Sequence, residues 1–452
     1  MLALAHLSDA ASSRIASSAE CSSASDALRT ASFSSPLLIA LAKCTKPPTS
    51  SVQPGAEDNL LSDPSLLSTC ATIASDTACI FRALAHALSS SDTLTDRLAS
   101  NSTNSASCAL VLCACAHAAG ALSSHSHPPT SSLFPWRSDD SAGAALALVD
   151  TFAHNASNHT NGLSNLISRI GREAHSKLST CSTHAGTASE LDRVDAVLAA
   201  EAVRCLLRTS NVHAQHDGMD IALRPCMPCL LLGLDHESPL VKRSAFDALG
   251  LSAELATRSE LRAHAGVAVD ALCRRVHGCE EINWSSVCRA MWIFPTRADH
   301  ASHKGTLVSQ AASELVTEGS RRKITSENGR PLLQALQHLV RNLGLRSLKL
   351  LATLVPLALS YVGETSDSDC QVEALKLLCV VSEVTWPRAP SNAPHLQRLL
   401  WLEIQKHEKS LAKEVRRELN KLLDTLTRAA GEEAISSTEG SHAELRERVV
   451  AG

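Results

Sequence analysis

Cys226 and Cys229 stand in the run PCMPC with the spacing of half a zinc site. Zinc takes four ligands, so a second half must come from elsewhere. The ligand-type residues downstream are Cys273, His277, Cys279 and Cys288. Their Cys-x3-His-x-Cys order matches no familiar pairing. Cys226 and Cys229 also sit where a packed helix needs small apolar side chains, and free cysteine serves as one. A buried structural pair is therefore the favoured reading, with a metal half-site as its rival. A redox role would need a βαβ setting, which is absent.

Other chemistry finds no footing. The chain has no His-Glu-x-x-His, no Gly-x-Ser-x-Gly elbow, no phosphate loop and no dinucleotide fingerprint. Ser, His and Asp are so frequent that a catalytic triad could be drawn anywhere, which empties such a drawing of meaning. The expectation is no enzyme, no cofactor and no metal.

Residues suited to binding are more specific. Trp386-Pro387-Arg388 closes a helical run; the proline disfavours αR for the Trp before it. Trp and Arg are common interface anchors, although a Trp here can equally cap the core. Lys242 and Arg243 fall off the apolar stripe of their helix and are partner-binding candidates. Arg321-Arg322-Lys323 reads as solvated loop charge. The stripe Leu411, Val415, Leu419, Leu422, Leu426 reads as the inward face of a last helix, with an exposed seam as the alternative.

These residues must be positioned by helices. In Pro225–Glu254 an apolar run (Cys229, Leu230, Leu231, Leu232, Leu234) ends at Asp235-His236-Glu237-Ser238. Pro239 then opens a second helix, where its missing N–H costs nothing. Val241, Ala245, Phe246 and Leu249 share one stripe at helical spacing. Two helices around an acidic turn make a HEAT-type unit, which buries its apolar face only by stacking on neighbours. From Pro225 onward helix pairs recur roughly every ~40 residues. Expected helices include Ala106–Leu122, Ala142–His154, Leu191–Arg208, Leu261–Val276, Trp284–Phe294, Ala298–Gly319, Pro331–Leu343, Ser347–Val362, Cys370–Val384 and Pro394–Ala430. Lys323–Pro331 reads as a polar turn. The predicted fold is all-α, a HEAT-like α-solenoid of stacked antiparallel helix pairs. Three regions are expected: an irregular Ser/Ala-rich helical region with loops over 1–190, HEAT-like repeats over 191–430, and a polar tail over 431–452.

Bulk composition agrees. Aromatics are only 3 % of 452 residues, and Ala and Leu, the stronger helix formers, dominate the apolar set. A net charge of −4 and a pI near 6.6 argue against a nucleic-acid partner. Sixteen cysteines, most of them in apolar helical runs, with no secretory signal visible, point to reduced thiols and a cytoplasmic and/or nuclear protein. The longest apolar runs, Cys108–Leu122 and Leu350–Val362, are shorter than the ~20 residues of a membrane span, so no membrane is expected.

Three segments, in order, resemble the Tel-two-interacting protein two family. They are LLLGLDHESPLVKRSAFDALG (Leu230–Gly250), LVRNLGLRSLKLLATLVPLALSYV (Leu339–Val362) and VEALKLLCVVSEVTWPR (Val372–Arg388), the last with a Thr-Trp-Pro-Arg close. The likeness covers about residues 220–400. The first segment departs from the family in lacking its aromatic-rich linker. The resemblance implies a non-catalytic scaffold subunit of the triple-T co-chaperone complex. Its partners would be Tel-two-interacting protein one and the Tel-two subunit. The complex works with the heat-shock protein ninety system on the maturation of phosphatidylinositol-3-kinase-related kinases. The alternative is a free-standing HEAT/armadillo-type adaptor for transport or trafficking, against which no Asn ladder recurs at the repeat period.

Overall fold

The computed structural model describes residues 77–78, 80–85, 105–119, 138–157, 162–183, 189–213, 220–299, 305–363, 367–388, 396, 400 and 412–431. Among them every regular element is a helix. The chain divides into two compact units, Met1–Glu260 and Leu261–Gly452.

The first unit holds α1 (Ser105–Ala118), α2 (Asp139–Ser157), α3 (Gly162–Thr183), α4 (Glu190–His213), α5 (Asp220–Leu234) and α6 (Pro239–Leu255). The short α7 (Arg258–Arg262) spans the boundary. Helices α1, α4 and α6 pack in one row, α3 and α5 in another, and α2 lies against α1. The second unit holds α8 (Ala265–Val276), α9 (Glu281–Ala298), α10 (Thr306–Gly319), α11 (Ser326–Leu343), α12 (Leu351–Gly363), α13 (Ser368–Val384) and α14 (Lys413–Ala430). Here α9, α11, α13 and α14 form one row and α8, α10 and α12 the other. Each sequential pair (α8 with α9, α10 with α11, α12 with α13) therefore contributes one helix to each row, the two-layer plan of a HEAT-like array. Pairs begin at Ala265, Thr306 and Leu351, close to the ~40-residue period of such repeats.

Local chemistry explains the pair α5–α6. Ser238 is the N-cap of α6 and Pro239 its first residue. The buried side of α6 includes Val241, Ala245, Phe246 and Leu249, the stripe read from the sequence. His236 is buried in the corner, and its Nδ1 accepts the Ser238 N–H at 3.0 Å.

Several boundaries differ from expectation. Helix α5 starts at Asp220 and carries Pro225 and Pro228 inside it. Pro228 leaves the Arg224 carbonyl without a helical donor, but both residues are exposed, so water reaches it. Helix α11 starts at Ser326, not Pro331, because Thr325 caps it: its Oγ1 accepts the Asn328 N–H at 3.3 Å. Helix α10 starts only at Thr306, behind the left-handed Gly305. Helix α3 lies in the region expected to be irregular, Ser/Ala-rich and helical with loops. Its buried Leu163, Ile167, Ile170, Ala174, Leu178 and Cys181 form a stripe diluted by Ser and Thr. The expected tail beyond Gly431 lies outside the described residues, as does most of 394–411.

Ser326–Gly363 is long and apolar enough, by length and composition, to cross a membrane. It is not one straight rod. Gly344, at φ 56°, ends α11, and a 3-10 turn (Gly344–Leu350) intervenes before α12. Its apolar residues Leu332, Leu336, Leu339, Leu354 and Ala358 are buried within the unit.

Candidate partner-binding surface

Helix α13 buries Ala374, Leu377, Leu378 and Val381. It ends at Thr385, whose N–H and Oγ1–H both donate to the Val381 carbonyl, at 3.0 and 2.7 Å. Trp386–Arg388 then winds one 3-10 turn packed against α14. Trp386 does not cap the core: it is 63 % exposed, and Pro387 beside it is exposed too. A flat apolar ring held outward by a capped helix end can enter a pocket on another protein without a large ordering cost. Arg388 completes the turn.

Lys242 and Arg243 belong to the other unit. Both are half-buried on α6, off its apolar stripe, and the Lys242 charge reaches the His236 ring. They and the Trp386 turn are thus candidate surfaces on separate units.

The Arg321-Arg322-Lys323 run is not uniformly solvated. Arg321 and Lys323 are exposed, but the Arg322 side chain is only 10 % exposed. Its guanidinium lies 3.9 Å from the Trp284 ring centroid, pairs with Glu318 at 3.3 Å and donates to the Cys279 carbonyl. Trp284 in turn donates its Nε1–H to the Asn328 carbonyl at 2.9 Å. His277 sits between Glu314, at 2.7 Å, and Glu318, at 3.2 Å. Arg322 therefore locks the turn after α10 onto the α8–α9 corner. Sequence spacing gives no sign of this, because Trp284 and the Cys279 carbonyl lie about forty residues upstream.

The cysteines of the PCMPC motif are inside. Cys229 donates its thiol to the Gly171 carbonyl at 3.2 Å, and burial pushes its pKa to about 12. Burial also holds Cys226 well above the ordinary thiol range. Such groups remain thiols at neutral pH, which suits packing and opposes nucleophilic work. Cys273, buried and faced by Glu314 and Asp270, is likewise raised to about 12. No group of three or more His, Cys, Asp or Glu among the described residues is placed to hold a metal ion.

No family model matches the chain, and no curated protein matches it. Among solved structures it is similar to "Crystal structure of Kap121p", at 10 % identity and a TM-score of 0.42, over 92 % of this chain and 50 % of that one. It is also similar to Kap121p bound to Pho4p, at 11 % identity and TM-score 0.40, over 96 % of this chain and 52 % of that one. An engineered protein matches at 14 % identity and TM-score 0.39, over 94 % and 95 % of the two chains. The chain thus spans about half the length of Kap121p. Likenesses of this size add nothing to the reading of function. Among the described residues the helix pairs themselves define the fold: an all-α, HEAT-like α-solenoid.

Proposed function

We propose that this chain is a non-catalytic scaffold subunit of the triple-T co-chaperone complex. It would bind Tel-two-interacting protein one and the Tel-two subunit, in the cytoplasm and/or nucleus. With the heat-shock protein ninety system it would support maturation of phosphatidylinositol-3-kinase-related kinases. The observation that carries the reading is the Thr385-Trp386-Pro387-Arg388 close, a motif of the family resemblance, whose Trp386 is exposed. Support also comes from the places of the other two resembling segments: Leu230–Gly250 covers the α5–α6 corner, and Leu339–Val362 spans the end of α11 through α12. Stacked pairs with buried, high-pKa thiols suit a scaffold and leave little for catalysis.

Co-purification tests this directly. Tagged full-length chain expressed in cells should recover both other subunits in stoichiometric amount. Recovery of neither defeats the assignment, and recovery of transport cargo in their place would favour the free-standing adaptor.

A further inference from the structure

The end of α8 carries a histidine set between two carboxylates. His277 is the C-cap of α8, and Gly278 behind it takes a left-handed φ of 68°. Water reaches the ring, whose side chain is 37 % exposed. Its Nε2 lies 2.7 Å from Glu314 Oε2 and its Nδ1 3.2 Å from Glu318 Oε2, so the two nitrogens meet successive turns of α10. Arg322 holds Glu318 by its other oxygen at 3.3 Å.

A neutral imidazole has one N–H. It donates to one carboxylate and turns a lone pair on the other. An imidazolium donates to both, and then has no lone pair left for a metal. The observed geometry fits the protonated ring. Neighbouring groups leave these two oxygens to it. Cys273, one turn earlier on α8 and faced by Glu314 and Asp270, is held as a thiol by burial, with its pKa at about 12. At the start of α9, Glu280 accepts from Asn283 at 3.1 Å, and Glu281 is exposed. Arg274 and Arg275 of α8 are exposed as well. Two turns back along α8, Asp270 accepts from Gln310 of α10 at 3.1 Å, so the seam is pinned there without His277.

We infer that His277 is a proton-operated latch between α8 and α10. With the proton bound, the ring ties the last turn of α8 to both carboxylates. When the proton passes to water, one N–H goes with it, and one carboxylate faces a lone pair. The corner is then free to turn about Gly278, where a left-handed backbone suits glycine and no atom crowds the Cα. Glu318 keeps Arg322, so its charge is not stranded and the unit stays folded. The tie is strongest in acid and is lost as pH rises, because the folded latch favours the proton. This inference does not rest on the co-chaperone reading; either can fail alone.

Hydrogen exchange on the full-length chain tests it, between about pH 5.5 and 8.5, across the ordinary imidazole value of about 6.5, with rates corrected for their intrinsic pH dependence. Protection in the last turn of α8 and through Cys279 should fall about tenfold or more over that range, as for a lost bond between charged groups. His277→Gln has no titrating proton and should show no such fall in this segment. Nitrogen NMR of the ring gives a second reading: both His277 nitrogens should carry protons at the acid end and only one at the alkaline end. Flat protection in the parent, an equal fall in His277→Gln, or a singly protonated ring throughout the range overturns the inference. If His277→Gln does not fold, the ring spectrum of the parent decides.

Discussion

The two units bury an arginine in different ways. In the first, the Arg204 side chain is 8 % exposed and is met by two carboxylates, Glu201 at 3.3 Å and Asp247 at 3.5 Å. It also donates to the Ala119 carbonyl at 2.6 Å, and Ser244 donates to Glu201. In the second, Arg322 has one carboxylate, one carbonyl and the face of Trp284. Each arginine joins three elements: Arg204 ties the end of α1 to α4 and α6, and Arg322 ties the turn after α10 to α9 and the α8–α9 corner. Ala and Leu faces are smooth and would slide. A charge that must find its partners selects one register. The first unit achieves this with ion pairs and hydrogen bonds, the second with an aromatic ring that also fills volume.

The contrast gives its largest effect at Arg204. Arg204→Ala removes the cation facing the buried Glu201 and should cost about 3–5 kcal/mol in denaturant unfolding. The double variant Arg204→Met/Glu201→Gln removes both charges and should be less damaging than the single change. Equal losses would mean that packing rather than charge dominates there.

Arg322→Met comes next. It keeps a stem over Trp284 but loses the cation–π contact, of about 2 kcal/mol when desolvated, and leaves Glu318 with His277 alone. A loss of about 2–3 kcal/mol is expected, with reduced amide protection in the α8–α9 corner by hydrogen exchange. Unchanged protection would show that the corner holds without it.

Gly329→Ala probes close approach on α11. A Cβ there would meet the Tyr361 ring carbons at 2.5 and 2.8 Å and Cys370 Sγ at 3.0 Å. Tyr361 is fully buried and cannot step aside, so a loss of about 1–3 kcal/mol is expected in a thermal melt. A neutral result would show that α11, α12 and α13 can shift apart.

The smallest effect is acid sensitivity at the α5–α6 corner. Burial lowers the His236 pKa, with Glu237 opposing and Lys242 reinforcing. The unfolded chain then binds the proton more readily than the folded one. The His236 contribution is complete above the ordinary value of about 6.5 and is lost as pH falls from there through the folded value. His236→Asn offers Oδ1 to the Ser238 N–H without titrating, so its stability should fall less between pH 7 and 5 than the parent's. Parallel curves would contradict the assignment.

Much of the helical plan was legible because apolar stripes survive in the sequence wherever charges separate them, as in α6, where Phe246 falls on the buried face. Helix α3 was hidden because Ser and Thr dilute a stripe that is nonetheless regular. The start of α11 was misjudged because Pro331 suits a first turn, while the real cap is Thr325. The binding candidates fared differently. Trp386 could be singled out from residue type and the following proline, but its exposure depends on how α13 meets α14. The place of Arg322 could not be read at all: its contacts to Trp284 and the Cys279 carbonyl cross from a neighbouring repeat about forty residues away, and no local pattern records which side chains meet there.

On the proposed assignment, the exposed Trp386 turn is where Tel-two-interacting protein one would dock. Purified full-length chain and purified partner should run as one complex in size-exclusion chromatography with light scattering. Trp386→Ala should abolish that complex while melting within about 0.5 kcal/mol of the parent, as expected for a surface change. No complex with the parent chain, or an undiminished complex with the variant, would contradict it.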